Sequence, residues 1–170
     1  DEARPDLYRI SLATREQRLA VRNADAADWS PDGRSILFLR GYDGAGTRGA
    51  GELLTAEIES GRERVLYRDA AKRLNEPRWS PDGQRIAVVL NSFQAGSTDL
   101  LGLLDVSSGE FEEQPLEPLG WRGVKIRGFA WITPRRLALL ILDTGEQRSP
   151  SGRIALLDLD TRDLRSLLPV

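Results

Sequence analysis

One stretch of this chain occurs twice: Trp29-Ser30-Pro31-Asp32-Gly33-Arg34-Ser35-Ile36-Leu37-Phe38-Leu39 and, 50 residues later, Trp79-Ser80-Pro81-Asp82-Gly83-Gln84-Arg85-Ile86-Ala87-Val88-Val89. A third, degraded copy follows after a further 52 residues as Trp131-Ile132-Thr133-Pro134-Arg135-Arg136-Leu137-Ala138-Leu139-Leu140. A period of about 40–50 residues is typical of proteins in which each repeat forms one small supersecondary unit. The chain is therefore predicted to be a repeat protein.

The Ser-Pro-Asp-Gly part of the repeat has the composition of a tight β-turn. Proline has a preset φ angle, aspartate accepts hydrogen bonds from nearby backbone N–H groups, and glycine tolerates positive φ. The apolar run that follows predicts a buried strand. These turn positions are Pro31, Asp32 and Gly33 in the first copy, Pro81, Asp82 and Gly83 in the second, and Pro134 in the third.

The third copy predicts a different turn. It lacks the Asp and the Gly, and its first apolar residue follows Trp131 by six positions rather than seven. The turn is therefore expected to be one residue shorter or differently built. The tryptophans Trp29, Trp79 and Trp131 recur at the structural period, so packing is the expected role for them.

A second repeat lies between the tryptophan motifs. The segment 157–163 (Leu-Asp-Leu-Asp-Thr-Arg-Asp) matches 104–110 (Leu-Asp-Val-Ser-Ser-Gly-Glu), with looser copies at 56–62 and 10–16. Each copy alternates apolar and polar residues and then enters a small polar turn, which predicts a half-exposed antiparallel hairpin. The two repeats keep the same phase, which argues against coincidence.

The two repeats together define the strands. A first hairpin is expected at about 6–12 and 16–22, followed by four-stranded units at about 24–68, 74–116 and 125–168. Residues 63–74 could alternatively form a short helix, but the repeat requires a strand and a connection there. Within each unit the strands change from apolar to alternating to charged, as in the blades of a β-propeller.

The predicted fold class is therefore all-β, with four-stranded antiparallel propeller-type blades. We expect about three and a half blades in a single domain spanning residues 1–170. The expected divisions are a half-blade at 1–23 and blades at 24–72, 73–118 and 119–170.

The Trp-Ser-Pro-Asp-Gly turn, its apolar strand and the later Asp-Leu-Asp-Thr-type turn resemble the WD-repeat-like blades of the TolB propeller. They are also similar to blades in the propeller domains of dipeptidyl-peptidase- and prolyl-oligopeptidase-type enzymes. The resemblance implies a non-catalytic module that binds proteins or peptides or serves as a scaffold. The alternative is the gating domain of a prolyl-oligopeptidase-like serine hydrolase. Either reading implies a periplasmic or secreted location.

The composition excludes several kinds of chemistry. The chain has no His and no Cys, which removes Ser-His-Asp and Cys-His catalysis and thiolate metal sites. Its net charge of −2 predicts no attraction to nucleic acid, and it contains no apolar run as long as a membrane span. No catalytic residue, metal or cofactor is predicted. An enzyme that uses carboxylates alone is a further alternative, although no spacing singles out a pair.

Three and a half blades are fewer than the four to eight of ordinary propellers. Three explanations stay open: a piece of a longer propeller, association with a second copy through free blade edges, or an open array. The start at Asp1 and the absence of Met favour a processed product or a piece of a longer chain. Free strand edges also suit a protein or peptide partner.

The longer connections indicate where a partner would bind. They run at about 40–51, 91–98, 115–124 and 143–152, and hairpin connectivity places all four on one face of the blades. Long loops on a rigid scaffold are common binding sites. The residues there most like interface anchors are Tyr42, Phe93, Trp121 and Arg122.

Overall fold

The computed structural model describes residues 5–41, 51–92, 97–114, 116, 124–143 and 151–169. These residues form fourteen strands. The half-blade consists of β1 (Leu7–Ile10) and β2 (Gln17–Val21), and the first blade of β3 (Asp25–Trp29), β4 (Ser35–Arg40), β5 (Gly51–Glu57) and β6 (Glu63–Asp69). The second blade contains β7 (Lys72–Trp79), β8 (Arg85–Ser92), β9 (Leu100–Asp105) and β10 (Phe111–Gln114), and the third β11 (Val124–Thr133), β12 (Arg136–Asp143), β13 (Ser151–Asp158) and β14 (Asp163–Pro169).

Each sheet is an antiparallel meander in which consecutive strands are neighbours. The prediction of three and a half four-stranded blades is confirmed. Residues 63–74, for which a short helix was the alternative, form β6 and the start of β7. The part of the chain that the structure describes contains no helix that is long and apolar enough to cross a membrane.

The turn between the first and second strands is built in two ways. In the first blade, the N–H of Gly33 donates to the carbonyl of Ser30 at 2.8 Å, and Gly33 adopts a φ of +69°, which favours glycine. In the third blade, Thr133 pairs directly with Arg136, so only two residues form the turn. The shorter turn expected from the degraded motif is present.

Strand register makes the blades comparable residue by residue. Trp29 lies opposite Ile36 in the first blade, Trp79 opposite Ile86 in the second, and Trp131 opposite Leu137 in the third. The first strand ends at the tryptophan in the first two blades, whereas β11 continues to Thr133. The register therefore defines corresponding positions in the three blades.

The core is divided among the junctions between neighbouring sheets. In β8, Ile86, Val88 and Leu90 pack against the first blade, while Ala87 and Val89 pack against the third. Both faces of the strand are therefore buried, which explains why the second strands are continuously apolar. The half-blade packs in the same way against Ile36 and Phe38 of the first blade through residues that include Val21 and Leu7.

Candidate functional site

The four partner-binding residues predicted from the sequence are Tyr42, Phe93, Trp121 and Arg122, and all of them lie outside the described residues. Their assignment stays a prediction. The structure does describe the strands that border the long connections. These strands contain a different group of polar side chains close to the same face.

The first strands of the three blades, together with β8, line a cleft of about 290 Å³, here called the axial cleft. Because β3, β7 and β11 all contribute, the cleft lies on the side of the array where the blades converge. It also lies near the predicted binding face, since Asn91 is the second-last residue of β8 and Arg127 the fourth of β11. Its lining consists of Ala26, Asn75, Glu76, Val89, Asn91, Ile126 and Arg127.

Irregular backbone positions the residues of the axial cleft. The strand pairing changes register near Ala26 in β3, near Glu76 in β7 and before Gly128 in β11. Each of these residues precedes the motif tryptophan of its blade by three positions. Ala26 has a φ of +42° and Glu76 a φ of +50°. For a residue with a Cβ this left-handed conformation costs about 1–3 kcal/mol and is concentrated at functional sites. A bulge also redirects side chains out of the ladder.

Close packing of the second and third blades limits the position of Glu76. A Cβ added at Gly128 would lie 3.7 Å from Glu76 Oε2, so the carboxylate lies directly against β11. Glu76 is half-buried, and within the described residues its carboxylate has no hydrogen-bond or ion-pair partner. An unpaired, partly desolvated carboxylate is available to a cationic or N–H donor of a ligand.

The other polar groups of the axial cleft are a cation and two side-chain amides. Arg127 is exposed and has no ion-pair partner in the described part of the chain. The amide of Asn75 donates to Asn91 Oδ1, which leaves one acceptor on Asn75 and the amide donors of Asn91 for a ligand. The cleft therefore combines an acceptor, a cation and two amides. This combination suits a ligand that carries polar backbone groups and charges of both signs.

The axial cleft was not predicted from the sequence. The available signal was the position three residues before each motif tryptophan, where Ala, Glu and Gly occupy a place that in two blades requires positive φ. A bulge cannot be read from hydrophobic alternation, because one extra residue shifts the phase only locally. Glu76 therefore looked like an ordinary strand residue.

The motif aspartates are engaged in their own turns. Asp32 Oδ1 accepts from the hydroxyl of Ser30 at 2.6 Å and from the N–H of Arg34 at 3.0 Å. The Ser30 hydrogen bond, with help from the Arg34 N–H, lowers the pKa of Asp32. In the second blade, the hydrogen bond from Ser80 likewise lowers the pKa of Asp82. A carboxylate with a lowered pKa is a poor proton donor, so these groups serve the turn.

The turns between third and fourth strands hold carboxylates in the same manner. Asp105 Oδ1 accepts from the hydroxyl of Ser107 at 2.6 Å and from the N–H of Ser108 at 2.9 Å. These hydrogen bonds, that of the Ser107 hydroxyl first, lower the pKa of Asp105 to about 2. The described residues contain no group of three or more acidic side chains placed to hold a metal ion.

Aspartates also join neighbouring blades. Asp99 is buried; one of its oxygens lies 3.0 Å from Lys125 Nζ, and the other accepts from the N–H of Ile126 at 3.0 Å. Asp28 Oδ2 accepts from the N–H of Trp79 at 2.8 Å. The Asp28 bond joins the first strands of the first two blades, and the Asp99 bonds join the start of the third strand of the second blade to the first strand of the third blade.

Comparison with known proteins supports the fold. No family model matches the sequence. A relative described as uncharacterized peptidase YuxL, from Bacillus subtilis (strain 168), is 27% identical over 124 residues, which is 71% of this chain and 17% of that protein. The chain therefore corresponds to a small part of that relative.

Two solved structures show where the similarity lies. TolB from Acinetobacter baumannii superposes with a TM-score of 0.73 at 19% identity, covering 98% of this chain and 38% of TolB. The β-propeller domain of the Trilobed protease from Pyrococcus furiosus superposes with a TM-score of 0.64 at 16% identity, covering 96% of this chain and 48% of that domain. At the level of fold, the predicted resemblance to TolB and to peptidase propellers is confirmed.

Proposed function

We propose that this chain is a non-catalytic propeller segment that binds a protein or peptide, with the axial cleft as part of the binding surface. The observation that carries the proposal is the strained, half-buried Glu76, whose carboxylate has no partner among the described residues. Arg127 and the two amides add complementary groups nearby. Polypeptide offers the matching chemistry, since it combines N–H donors, carbonyl acceptors and charges of both signs.

The absence of His and Cys from the sequence supports a binding role over a catalytic one. Two lining residues of the cleft, Asn91 and Arg127, lie close in sequence to the connections predicted at about 91–98 and 115–124, which include Phe93, Trp121 and Arg122. We therefore extend the proposed surface to those residues and to Tyr42, as aromatic and cationic anchors around a polar centre. An extracytoplasmic location is part of the proposal and is supported by the TolB-like fold.

The test is binding of an array of short synthetic peptides that vary systematically in charge. We expect peptides with both a cationic and an anionic group to bind, and Glu76→Gln or Arg127→Gln to weaken binding roughly tenfold, since a hydrogen bond to a charged group contributes about 1.5–3 kcal/mol. Glu59→Gln and Arg62→Gln, in the β5–β6 turn at the other end of the blades, are the matched controls. Equal losses in both pairs, or no peptide that depends on Glu76, would reject the proposal.

A second candidate function is the accessory propeller of a peptidase. The observation that favours it is the peptidase name of the 27% identical relative, of which this chain covers 17%. The catalytic serine and the histidine that activates it would then lie in another part of the same protein, because the present sequence contains no His.

An antibody against this chain can test the second candidate. The protein recovered from its source cells is treated with a fluorophosphonate probe, which labels active-site serines. Labelling of a species much larger than 18.9 kDa that carries this sequence would support the peptidase reading. Absence of labelling, with a control hydrolase from the same cells labelled, would reject it.

A further inference from the structure

A second pocket, here called the junction pocket, lies between the second and third blades. Both of these blades are complete four-stranded sheets, and the pocket has a volume of about 210 Å³. Sites for drug-sized ligands have volumes of roughly 300–1,000 Å³, so a ligand of the junction pocket would be small. The lining of the pocket includes Arg85, Leu103, Glu110, Gln114, Leu159 and Arg162.

The junction between the first and second blades is filled differently. Tyr67 in β6 and Gln114 in β10 correspond, because they pair with Leu53 and Leu101, each four positions before the end of its third strand. The Tyr67 ring stacks on the ring of Phe111 in the second blade, with centroids 3.6 Å apart. Gln114 is buried but has no ring, and it lines the junction pocket. The pocket can therefore accept an apolar group of a ligand beside Gln114.

Strand register places a cation and a carboxylate on the same face of the second blade. Arg85 lies opposite Asp105, and the N–H of Asp105 donates to the carbonyl of Glu110 at 2.9 Å. Neighbouring strands are about 5 Å apart and paired residues share a face, so Arg85 and Glu110 lie about 10 Å apart across the sheet. Within the described residues, neither of these two side chains makes an ion pair or a hydrogen bond. Both charges are therefore available to a ligand in the pocket.

The other two carboxylates of the junction pocket are already engaged. Asp105 Oδ1 accepts from the hydroxyl of Ser107 at 2.6 Å and from the N–H of Ser107 at 3.0 Å. Glu112 Oε1 lies 2.7 Å from Arg162 Nη2 of the third blade. A guanidinium has several N–H donors, so Arg162 retains others for a ligand. The pocket can therefore contact an anionic group through two arginines and a cationic group through Glu110.

Arg162 has an unfavourable backbone conformation. Its φ of +56° is left-handed, and Gly61 and Gly109 have positive φ at the corresponding position of the other two complete blades. A Cβ makes this conformation unfavourable, and such strain is concentrated at functional sites. The ion pair with Glu112 is largely exposed, and exposed ion pairs contribute little to stability. Stability alone therefore does not explain an arginine at this position, whereas a contact with a ligand would.

We infer that the junction pocket binds a free amino acid with an apolar side chain, which is a small zwitterion. Its carboxylate contacts Arg85 and Arg162, and its ammonium group contacts Glu110. Its side chain packs against Leu103 and Leu159. Hydrogen bonds between charged groups are the stronger kind, so the two charges of the ligand supply most of the specificity. The site shares no lining residue with the axial cleft and does not depend on the function proposed for that cleft.

Titration with L-phenylalanine, followed by NMR, tests the inference. We expect resonances of Leu103, Gln114 and Leu159 to shift, with a dissociation constant of roughly 1 mM or below. Three analogues are the controls: phenethylamine lacks the carboxylate, phenylpropanoate lacks the ammonium group, and N-acetyl-phenylalanine amide, which represents a residue within a polypeptide, lacks both charges. Each should bind at least about tenfold more weakly, because a charged contact is lost. No shift at millimolar phenylalanine, or equal binding of the uncharged analogue, would overturn the inference.

Variants of the pocket connect the binding to these residues. Arg85→Gln and Glu110→Gln should each weaken binding about tenfold, whereas Arg64→Gln, at an exposed position of the first blade, should leave it unchanged. Arg162→Gly should weaken binding and raise the melting temperature, because it relieves the left-handed backbone.

Gln114→Tyr is the most direct variant, because it introduces the residue of the corresponding position in the first blade. It should abolish binding by filling the pocket, and circular dichroism checks that the fold is retained. Unchanged binding in a folded Gln114→Tyr protein would overturn the inference, and so would equal losses in Arg85→Gln and Arg64→Gln.

Discussion

The junction between the second and third blades and the junction between the half-blade and the first blade use the same strand positions but differ in extent. The former buries a cluster that runs from Ala87 to Leu164 and is flanked by half-buried Trp131. The latter buries a smaller cluster around Phe38, and its tryptophan, Trp29, is half-exposed. The comparison shows that the second strand and the outer strands are enough to bury the centre of a junction. The first strand is what covers the motif tryptophan.

The largest expected effect tests which face of a blade has a neighbour. Leu139 is fully buried against the second blade, whereas Leu140, the next residue of β12, is 41% exposed. Leu139→Ala should lower the free energy of unfolding by about 2–5 kcal/mol, and Leu140→Ala by less than about 1 kcal/mol. Urea denaturation of both variants measures the difference. Similar costs would mean that the outer face of the third blade is covered in solution.

The next effect compares aspartates that join neighbouring sheets at the two junctions. Asp99 is buried and bonds both Lys125 and the N–H of Ile126. Within the described residues, Asp6 at the half-blade accepts one hydrogen bond, from the N–H of Asn23 at 3.0 Å in an exposed setting. Asp99→Ala should cost about 2–3 kcal/mol and Asp6→Ala about 0.5–1 kcal/mol. Thermal unfolding of the two variants gives the ranking. A reversed order would show that the half-blade junction depends more on its polar bonds.

The tryptophans provide a smaller, more local comparison. Trp131→Phe removes a hydrogen bond to Arg78 and part of a half-buried ring, and should cost about 1 kcal/mol. Trp29→Phe removes an exposed indole and should change stability by less than about 0.5 kcal/mol. Equilibrium unfolding in denaturant, followed by circular dichroism, tests both. A large loss at Trp29 would mean that this residue is covered in solution.

The smallest expected effect is a loss of stability at acid pH. The pKa of Asp105 in the folded state, about 2, is below its ordinary value of 3.8. Its contribution to stability is therefore fully present above about pH 4 and is lost as the pH falls toward 2. In the half-blade turn, Ser11 makes the same two backbone hydrogen bonds as Asp105, to Glu16 and from Arg15, and its hydroxyl does not titrate in this range. In an NMR titration the Ser108 amide should shift with a midpoint near pH 2, and the Thr14 amide should show none there. A midpoint near pH 4 at Ser108 would contradict the hydrogen-bonded turn.

The strands were predictable because their signals are local and repeated. The Trp-Ser-Pro-Asp-Gly turn carries its own hydrogen-bond chemistry, and the apolar runs at Ile36 and Ile86 are long enough to identify buried strands. Even the shorter turn after Trp131 was predictable, because the next strand begins one position sooner after this tryptophan than after the other two. By contrast, nothing local distinguishes Trp29 from Trp79. Their burial differs because, among the described residues, the sheet that precedes Trp79 contains a first strand and the sheet that precedes Trp29 does not.

The amino-acid sequence was sufficient to establish the repeat, the strand order, the two kinds of turn and the exclusion of histidine- and cysteine-based chemistry, since each depends on residue type and short-range spacing. The axial cleft arises between residues far apart in the chain. Glu76 lies against Gly128 because two blades converge. Such features depend on how sheets are placed relative to one another, which side-chain patterning along a single strand does not encode.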